Sequence, residues 1–346
     1  MNFELSKLVR PNIWALEPYS CARDEFKGRD AHVFLDANEN PYNDPINRYP
    51  DPLQEKVKER LAPLKGVRPS QIFLGNGSDE AIDLVYRIFC NPKVDNVVAI
   101  APTYGMYKVC ADINDVEYRS VPLSEDWQFE PKALLDATDA NTKVIWICSP
   151  NNPSGNDFHR ESIHEVLMNF EGIVVVDEAY SDFSTNQPFR TLLDNYPNLI
   201  VLNTFSKAWA SAAIRLGMAF ASEELIALFN KVKYPYNVNL LTQEKALTLL
   251  DELATIDGWL AQIKREREHV LPALEELPIV QKVFPTDANF VLVRVTDANA
   301  VYRYLIDQGI VVRNRNRVQL CKDCLRITIG TRQENNELLG ALRFFK

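Results

Sequence analysis

Hydrophobic positions along this chain follow one rhythm up to about Pro235 and another beyond it. In the first stretch, short and nearly continuous apolar runs recur at 72–74, 97–100, 143–148, 172–176, 199–202 and 217–221. Segments with apolar residues every three to four positions lie between them, over 53–64, 79–89 and 160–170. A continuous apolar run reads as a strand buried on both faces, which is the habit of a parallel sheet. Its alternation with helical spacing predicts an α/β domain whose mostly parallel central sheet is flanked by helices. Past Pro235 the pattern predicts two long amphipathic helices, 240–253 and 258–277. A strand over 288–294, a helix over 298–308, a strand at Ile310–Val312 and a strand containing Arg326 complete a smaller α+β domain. The first 45 or so residues are rich in Pro, Asn and polar groups and predict an arm with irregular segments. The expected division is 1–45, 46–250 and 251–346.

The polar residues that interrupt this pattern sit where a parallel sheet binds its ligands, beyond the carboxyl ends of its strands. Asn152 follows the 143–148 run, Asp177 and Tyr180 follow 172–176, and Lys207 follows 199–202. A lysine at the end of a core strand is costly to place, because burial disfavours its charged form. The cost makes sense if the amine is needed neutral, as a nucleophile toward an aldehyde. A lone lysine at a strand end is ordinarily a surface residue, but this one has companions. An acid, an amide, a phenol and a lysine together are what pyridoxal 5′-phosphate asks of a protein. The Gly75–Glu80 segment reads as a strand, a glycine turn and a helix start, and backbone amides there bind phosphate well. Within it, Gly77 lets the backbone approach closely, while Ser78 and Asp79 also suit helix capping. Arg215 supplies a fork-shaped donor suited to phosphate.

Read in order, Ala37–Pro41, Arg48–Asp51, Gly75–Glu80, Ser149–Gly155, Asp177–Tyr180, Ser206-Lys207 with Arg215–Gly217, and Cys324–Thr331 resemble the signatures of the histidinol-phosphate aminotransferase family. That family is a branch of the pyridoxal-phosphate aminotransferases of fold type I, shaped like aspartate aminotransferase. The resemblance spans about residues 30 to 331. It implies that the N-terminal segment packs with the small domain and that the cofactor lies between the domains. It gives Lys207 the cofactor aldehyde, Asp177 the ring nitrogen, Asn152 and Tyr180 the ring oxygen, and Tyr104 a stacking position on the ring. Thr204, Ser206 and Arg215 would reach the phosphate with the Gly77–Asp79 turn. Tyr49 would cross to a neighbouring subunit's cofactor phosphate, making the enzyme a homodimer. Arg326, with Tyr19 and Asn38, would bind the substrate. The implied reaction is transamination between L-histidinol phosphate and 2-oxoglutarate, in histidine biosynthesis. Two departures from the family pattern stand out. Tyr19 lacks the proline-glycine that usually follows it, and Ala210–Ile214 lacks the usual glycines. The rival readings within the fold are an aromatic amino acid aminotransferase and a threonine-phosphate decarboxylase.

Composition narrows the picture without changing it. The chain has 346 residues, 46% hydrophobic and 25% charged, enough for two domains with a sizeable core. A net charge of -9 argues against a nucleic-acid partner and, with the absence of a basic helix-turn-helix segment, against a cofactor-binding transcription regulator. The opening residues lack the basic and apolar regions of a signal peptide, and no apolar stretch approaches a membrane span, so cytoplasm is expected. Six cysteines in a chain this long do not suggest a disulfide framework. Cys321 and Cys324 form a CxxC, but no second pair or histidine pair completes a metal site, and chance spacing is the reading. Arg313, Arg315 and Arg317 form a basic cluster near Arg326, read mainly as a solvated face with one member free to help at a substrate phosphate. The four histidines fall in no motif.

Overall fold

The computed structural model describes residues 3–20 and 32–345. Seven strands form the main sheet: β1 (Ile72–Asn76), β2 (Asn96–Ala101), β3 (Glu117–Pro122), β4 (Thr142–Cys148), β5 (Ile173–Asp177), β6 (Leu199–Thr204) and β7 (Leu216–Phe220). Their order is β1-β7-β6-β5-β4-β2-β3. The strands from β3 to β6 run parallel, and only β7 runs against its two neighbours. The apolar runs fill it as their continuity requires. Ile145, Ile147, Val174, Val176, Leu199 and Val201 enter the core on one face. The residues between them, among them Val144, Trp146, Ile173, Val175, Ile200 and Leu202, enter a separate core on the other. Each such side chain contributes about 1.5–3 kcal/mol by leaving water. The spared residues at the strand ends are the polar ones.

The antiparallel return of β7 shapes the segment carrying Lys207. Phe205 donates its amide to the Leu216 carbonyl at 3.0 Å, which closes the 205–215 excursion into a loop anchored at both ends. Gly217 sits opposite Gly75 and Thr204 in the two ladders. A side chain at Gly217 would overlap the backbone of Gly77 and Ser78, so the strand and the turn pack together only because that position is glycine.

The second sheet holds β8 (Val280–Val283), β9 (Phe290–Val295), β10 (Arg313–Asn314) and β11 (Cys324–Thr328), in the order β10-β11-β9-β8. All its pairings are antiparallel, and its helices Leu253–Glu275, Ala298–Asp307 and Arg332–Phe344 bury Val270, Leu274, Val301 and Leu339 against Val291, Val293 and Ile327. The strand expected at 310–312 is not paired; pairing begins at Arg313. The reason is local. Gly309 takes a left-handed φ of 76°, and Ile310 gives its amide to the Leu305 carbonyl at 2.8 Å, ending the preceding helix. The expectation also passed over β3, whose residues are half exposed and lack a continuous apolar run.

Near the amino end, Val9 and Ile13 bury among Phe73, Val85 and Ile88 of the main domain. The sheets meet at the loop after β4, where Asp287 donates to the Gly155 carbonyl at 2.8 Å and Asp157 donates its amide to the Asp287 carboxylate at 2.9 Å. Among the described residues, no helix is long and apolar enough to cross a membrane.

Candidate active site

A cavity of about 160 Å³ opens beyond the carboxyl ends of β1, β4, β5 and β6. The sheet order places β4, β5 and β6 side by side, so residues far apart in sequence arrive together. Asn152, Asp177, Tyr180, Thr204, Ser206, Lys207 and Arg215 line the cavity, as do Gly77, Ser78, Asp79 and Tyr104.

At one end lies an anion cradle. Gly77 begins the helix Gly77–Phe89 with a φ of 70°, and its amide donates to the Arg215 carbonyl at 2.7 Å. A side chain at Gly77 would meet the Arg215 guanidinium. Arg215 also takes a left-handed φ of 53° and places Nη1 3.4 Å from Ser206 Oγ. Its Nη2 lies 3.5 Å from the Asp79 carboxylate, whose other oxygen accepts the Tyr104 hydroxyl at 3.1 Å. Thr204 Oγ1 accepts the Ser206 amide at 3.1 Å and fixes the hydroxyl pair. Helix N-terminal amides, two hydroxyls and a guanidinium form a donor set for a phosphate ester.

At the other end lies Asp177, only 2% exposed. Its Oδ2 accepts the Tyr107 hydroxyl at 2.6 Å and its Oδ1 accepts the Ala179 amide at 3.1 Å. Among the described residues no basic group stands within ion-pair distance of it. Burial pushes this carboxyl up to about 6, against the opposing pull of those two hydrogen bonds.

Lys207 lines the same cavity. Its ammonium group lies 5.5 Å from the centre of the Tyr180 ring. The side chain reaches solvent through the cavity mouth, yet the surrounding protein lowers its pKa. The Arg326 charge lowers it further, while Asp177 pulls it upward. The Tyr180 phenol is pushed up by burial and accepts the Asn152 amide at 3.3 Å. Asn152 Oδ1 in turn accepts Arg326 Nη1 at 2.5 Å. Arg326, from β11, thus joins the wall through an amide on the main sheet. Its guanidinium packs 5.2 Å from the Phe290 ring, and burial lowers its pKa.

An amine sharing one cavity with a buried carboxylate that has no ion-pair partner and with a phosphate cradle fits pyridoxal 5′-phosphate. The pyridine nitrogen would meet the carboxylate, the aldehyde the amine and the phosphate the cradle. Other expected residues stand elsewhere. Tyr19 and Asn38 are exposed and do not line this cavity. Tyr49 is also outside it, stacked on Tyr236 at 4.4 Å with about half of its surface exposed. Arg313 pairs across the ladder from Arg326. Arg315 approaches Arg326 and Tyr180, and burial lowers its pKa, whereas Arg317 is exposed. Cys321 and Cys324 are buried thiols, with Cys321 pushed up to about 12 by burial, a poor nucleophile.

Two buried polar groups beside Asp177 were missed by sequence reasoning. Tyr107 lies on the helix Met106–Ile113, and nothing in the sequence signals its contact with Asp177. Glu178 was passed over beside Asp177. It is 3% exposed, its Oε1 accepts the Phe189 amide at 2.6 Å, and Arg190 stands 3.9 Å from Oε2. Burial pushes its carboxyl up to about 8. A carboxyl raised above its unfolded value stabilises the fold fully below that value, near 4.3, and loses this as pH rises through about 8. Stability should therefore fall with pH over that window, by at most ~1.4 kcal/mol per pH unit from this group. In Glu178→Gln, denaturant midpoints measured from pH 6 to 9 should fall less steeply; parallel curves would contradict the assignment.

Residues 25–342 match the sequence model of the family described as aminotransferase class I and II. The chain is 59% identical over 342 residues to the histidinol-phosphate aminotransferase of Bacteroides fragilis strain YCH46, covering 99% of each. The solved histidinol-phosphate aminotransferase of Clostridium acetobutylicum superposes with a TM-score of 0.79 at 25% identity, over 86% of this chain and 90% of that one. The Sinorhizobium meliloti enzyme, solved in complex with pyridoxal-5′-phosphate, shares the fold with a TM-score of 0.78 at 23% identity, over 86% and 82%.

Proposed function

This chain belongs to the class I and II aminotransferases, and we propose that it transfers the amino group between L-histidinol phosphate and 2-oxoglutarate, yielding imidazole-acetol phosphate and L-glutamate in histidine biosynthesis. One observation carries the reading: Lys207, the Asp177 carboxylate and the Gly77–Arg215 cradle line one cavity, with Arg326 joined to its wall through Asn152.

Bound here, pyridoxal 5′-phosphate supplies an electron sink for the bond broken at the substrate α-carbon. The remaining work belongs to the chain. We assign Gly77, Ser78, Thr204, Ser206 and Arg215 to the phosphate, with Asp79 orienting Arg215 and Tyr104. Asp177 holds the ring nitrogen protonated. Asn152 and Tyr180 donate to the ring oxygen. The Lys207 amine, its pKa lowered by burial, would hold the aldehyde and, when free, would move the proton taken from the substrate Cα. Arg326 takes the carboxylate of glutamate and the phosphate of the amino alcohol in alternate half-reactions. Two substrates sharing one site in turn give ping-pong kinetics.

Further parts of the reading rest on analogy with the family. The chain works as a cytoplasmic homodimer, with Tyr49 reaching the cofactor phosphate of a neighbouring subunit. Its position outside its own chain's cavity supports this. Residues 46–250 form the cofactor domain and 251–346 the small domain, to which the 1–45 arm adds a part. Tyr19 and Asn38 close over the substrate.

Purified protein loaded with cofactor should form glutamate from histidinol phosphate and 2-oxoglutarate, with parallel lines in double-reciprocal plots. Carbon dioxide release from threonine phosphate, or faster turnover of aromatic amino acids, would replace this reading.

A further inference from the structure

Tyr107 is fully buried on the helix Met106–Ile113 and is held from several directions. Its ring stacks on Trp146 of β4 with centroids 4.7 Å apart and planes 15° from parallel. Tyr104 meets it edge-on at 5.7 Å. The Tyr86 hydroxyl donates to its backbone carbonyl at 2.7 Å. All this fixes one polar atom, the phenol oxygen, which donates to Asp177 Oδ2 at 2.6 Å.

The choice of a phenol has a physical consequence. A carboxylate turns easily about its last torsion. Here the Ala179 amide holds one oxygen and Tyr107 the other, so the plane of Asp177 is set. A lysine or arginine in the place of Tyr107 would also hold it, but would neutralise it. A neutral donor stabilises the anion and leaves its charge available to a cationic partner in the cavity. Apart from the Ala179 amide, the other groups facing Asp177 do not do this. Lys207 favours its charge from the end of β6, Asp79 opposes it from the helix after β1, and the Cys148 thiol lies beside it on β4.

We propose that Tyr107 is a positioning residue for the reaction, orienting Asp177 and keeping it ionised so that it holds the protonated nitrogen of the cofactor. This rests on the assignment of Asp177 made above and extends it to a residue outside the cavity lining.

The test measures pyridoxal 5′-phosphate binding by equilibrium dialysis to cofactor-free wild type, Tyr107→Phe and Asp177→Asn, between about pH 5 and 8. Titration of the free cofactor is common to all three and cancels in the ratios. Wild-type affinity should fall as Asp177 takes up its proton near pH 6. In Tyr107→Phe the fall should begin about one pH unit higher, leaving affinity about fivefold weaker near pH 6, approaching tenfold weaker near pH 5 and converging with wild type toward pH 8. A residue that only fills space would weaken binding evenly at every pH. An even loss, or a curve superimposed on wild type while Asp177→Asn binds poorly, overturns the role of Tyr107 alone. An Asp177→Asn curve matching wild type removes Asp177 from the site and overturns both assignments. The unsubstituted protein gives a second reading by proton NMR. The Tyr107 hydroxyl proton should appear downfield, exchange slowly and move as Asp177 titrates; lack of such a proton also overturns the proposal, whether or not Tyr107→Phe folds.

Discussion

A Lys207→Ala protein should lose turnover and the visible absorbance of the lysine-bound cofactor together. The amine has two duties, and the structure equips it for both. It lines the same cavity as the carboxylate and the phosphate cradle, where it can hold an aldehyde, and its lowered pKa leaves a larger neutral fraction to attack it. Freed by the substrate, the same nitrogen carries a proton, and a positioned transfer of that kind contributes ~10²–10⁴-fold. Loss of the first duty adds to this, so activity should drop by more than ~10⁴-fold. Retained colour with retained turnover would show that another group holds the aldehyde. Retained binding of colourless cofactor would fit, because the phosphate donors do not include Lys207.

The second large effect concerns Arg326. Truncating one partner of a buried, hydrogen-bonded charge pair costs about 2–5 kcal/mol. Arg326→Ala should therefore lower kcat/KM for glutamate by ~10²-fold or more, chiefly through KM. Cofactor affinity should change little, since the cradle and Asp177 lie on other strands. Histidinol phosphate should suffer in parallel, because one guanidinium serves both anions. Unchanged steady-state constants would make Arg326 a structural partner of Asn152 alone. A loss confined to one substrate would move the other anion to Arg313 or Arg315, which stand beside it.

Much of this was legible in the sequence because the main sheet is buried on both faces. That burial forces apolar residues onto consecutive positions, so the strands and the polar residues ending them stand out together. Asn152, Asp177 and Lys207 were found in this way. The strand order was not legible, since no residue pattern announces that β7 runs backwards between β1 and β6. Nor was the end of the helix at Asp307 distinguishable from the start of a strand, because Ile310, Val311 and Val312 suit either. Tyr107 was hidden for a different reason. On a helix, an aromatic on the buried side looks the same whether its hydroxyl is idle or bonded to a carboxylate 70 residues away. Tyr19, Asn38 and Tyr49 came only from resemblance to a family, and their geometry in one chain leaves them outside the cavity.

The column of rings Tyr86, Trp146 and Tyr107 gives the protein a built-in optical gauge. Trp146 lies between the two tyrosines, 5.5 Å from one and 4.7 Å from the other, and Tyr107 touches the carboxylate assigned to the cofactor. Its indole is sealed from solvent, so dissolved quenchers reach it poorly while a chromophore in the cavity does not need to. Emission from this one tryptophan, isolated by replacing the other four with phenylalanine, would follow cofactor loading in real time without any attached dye.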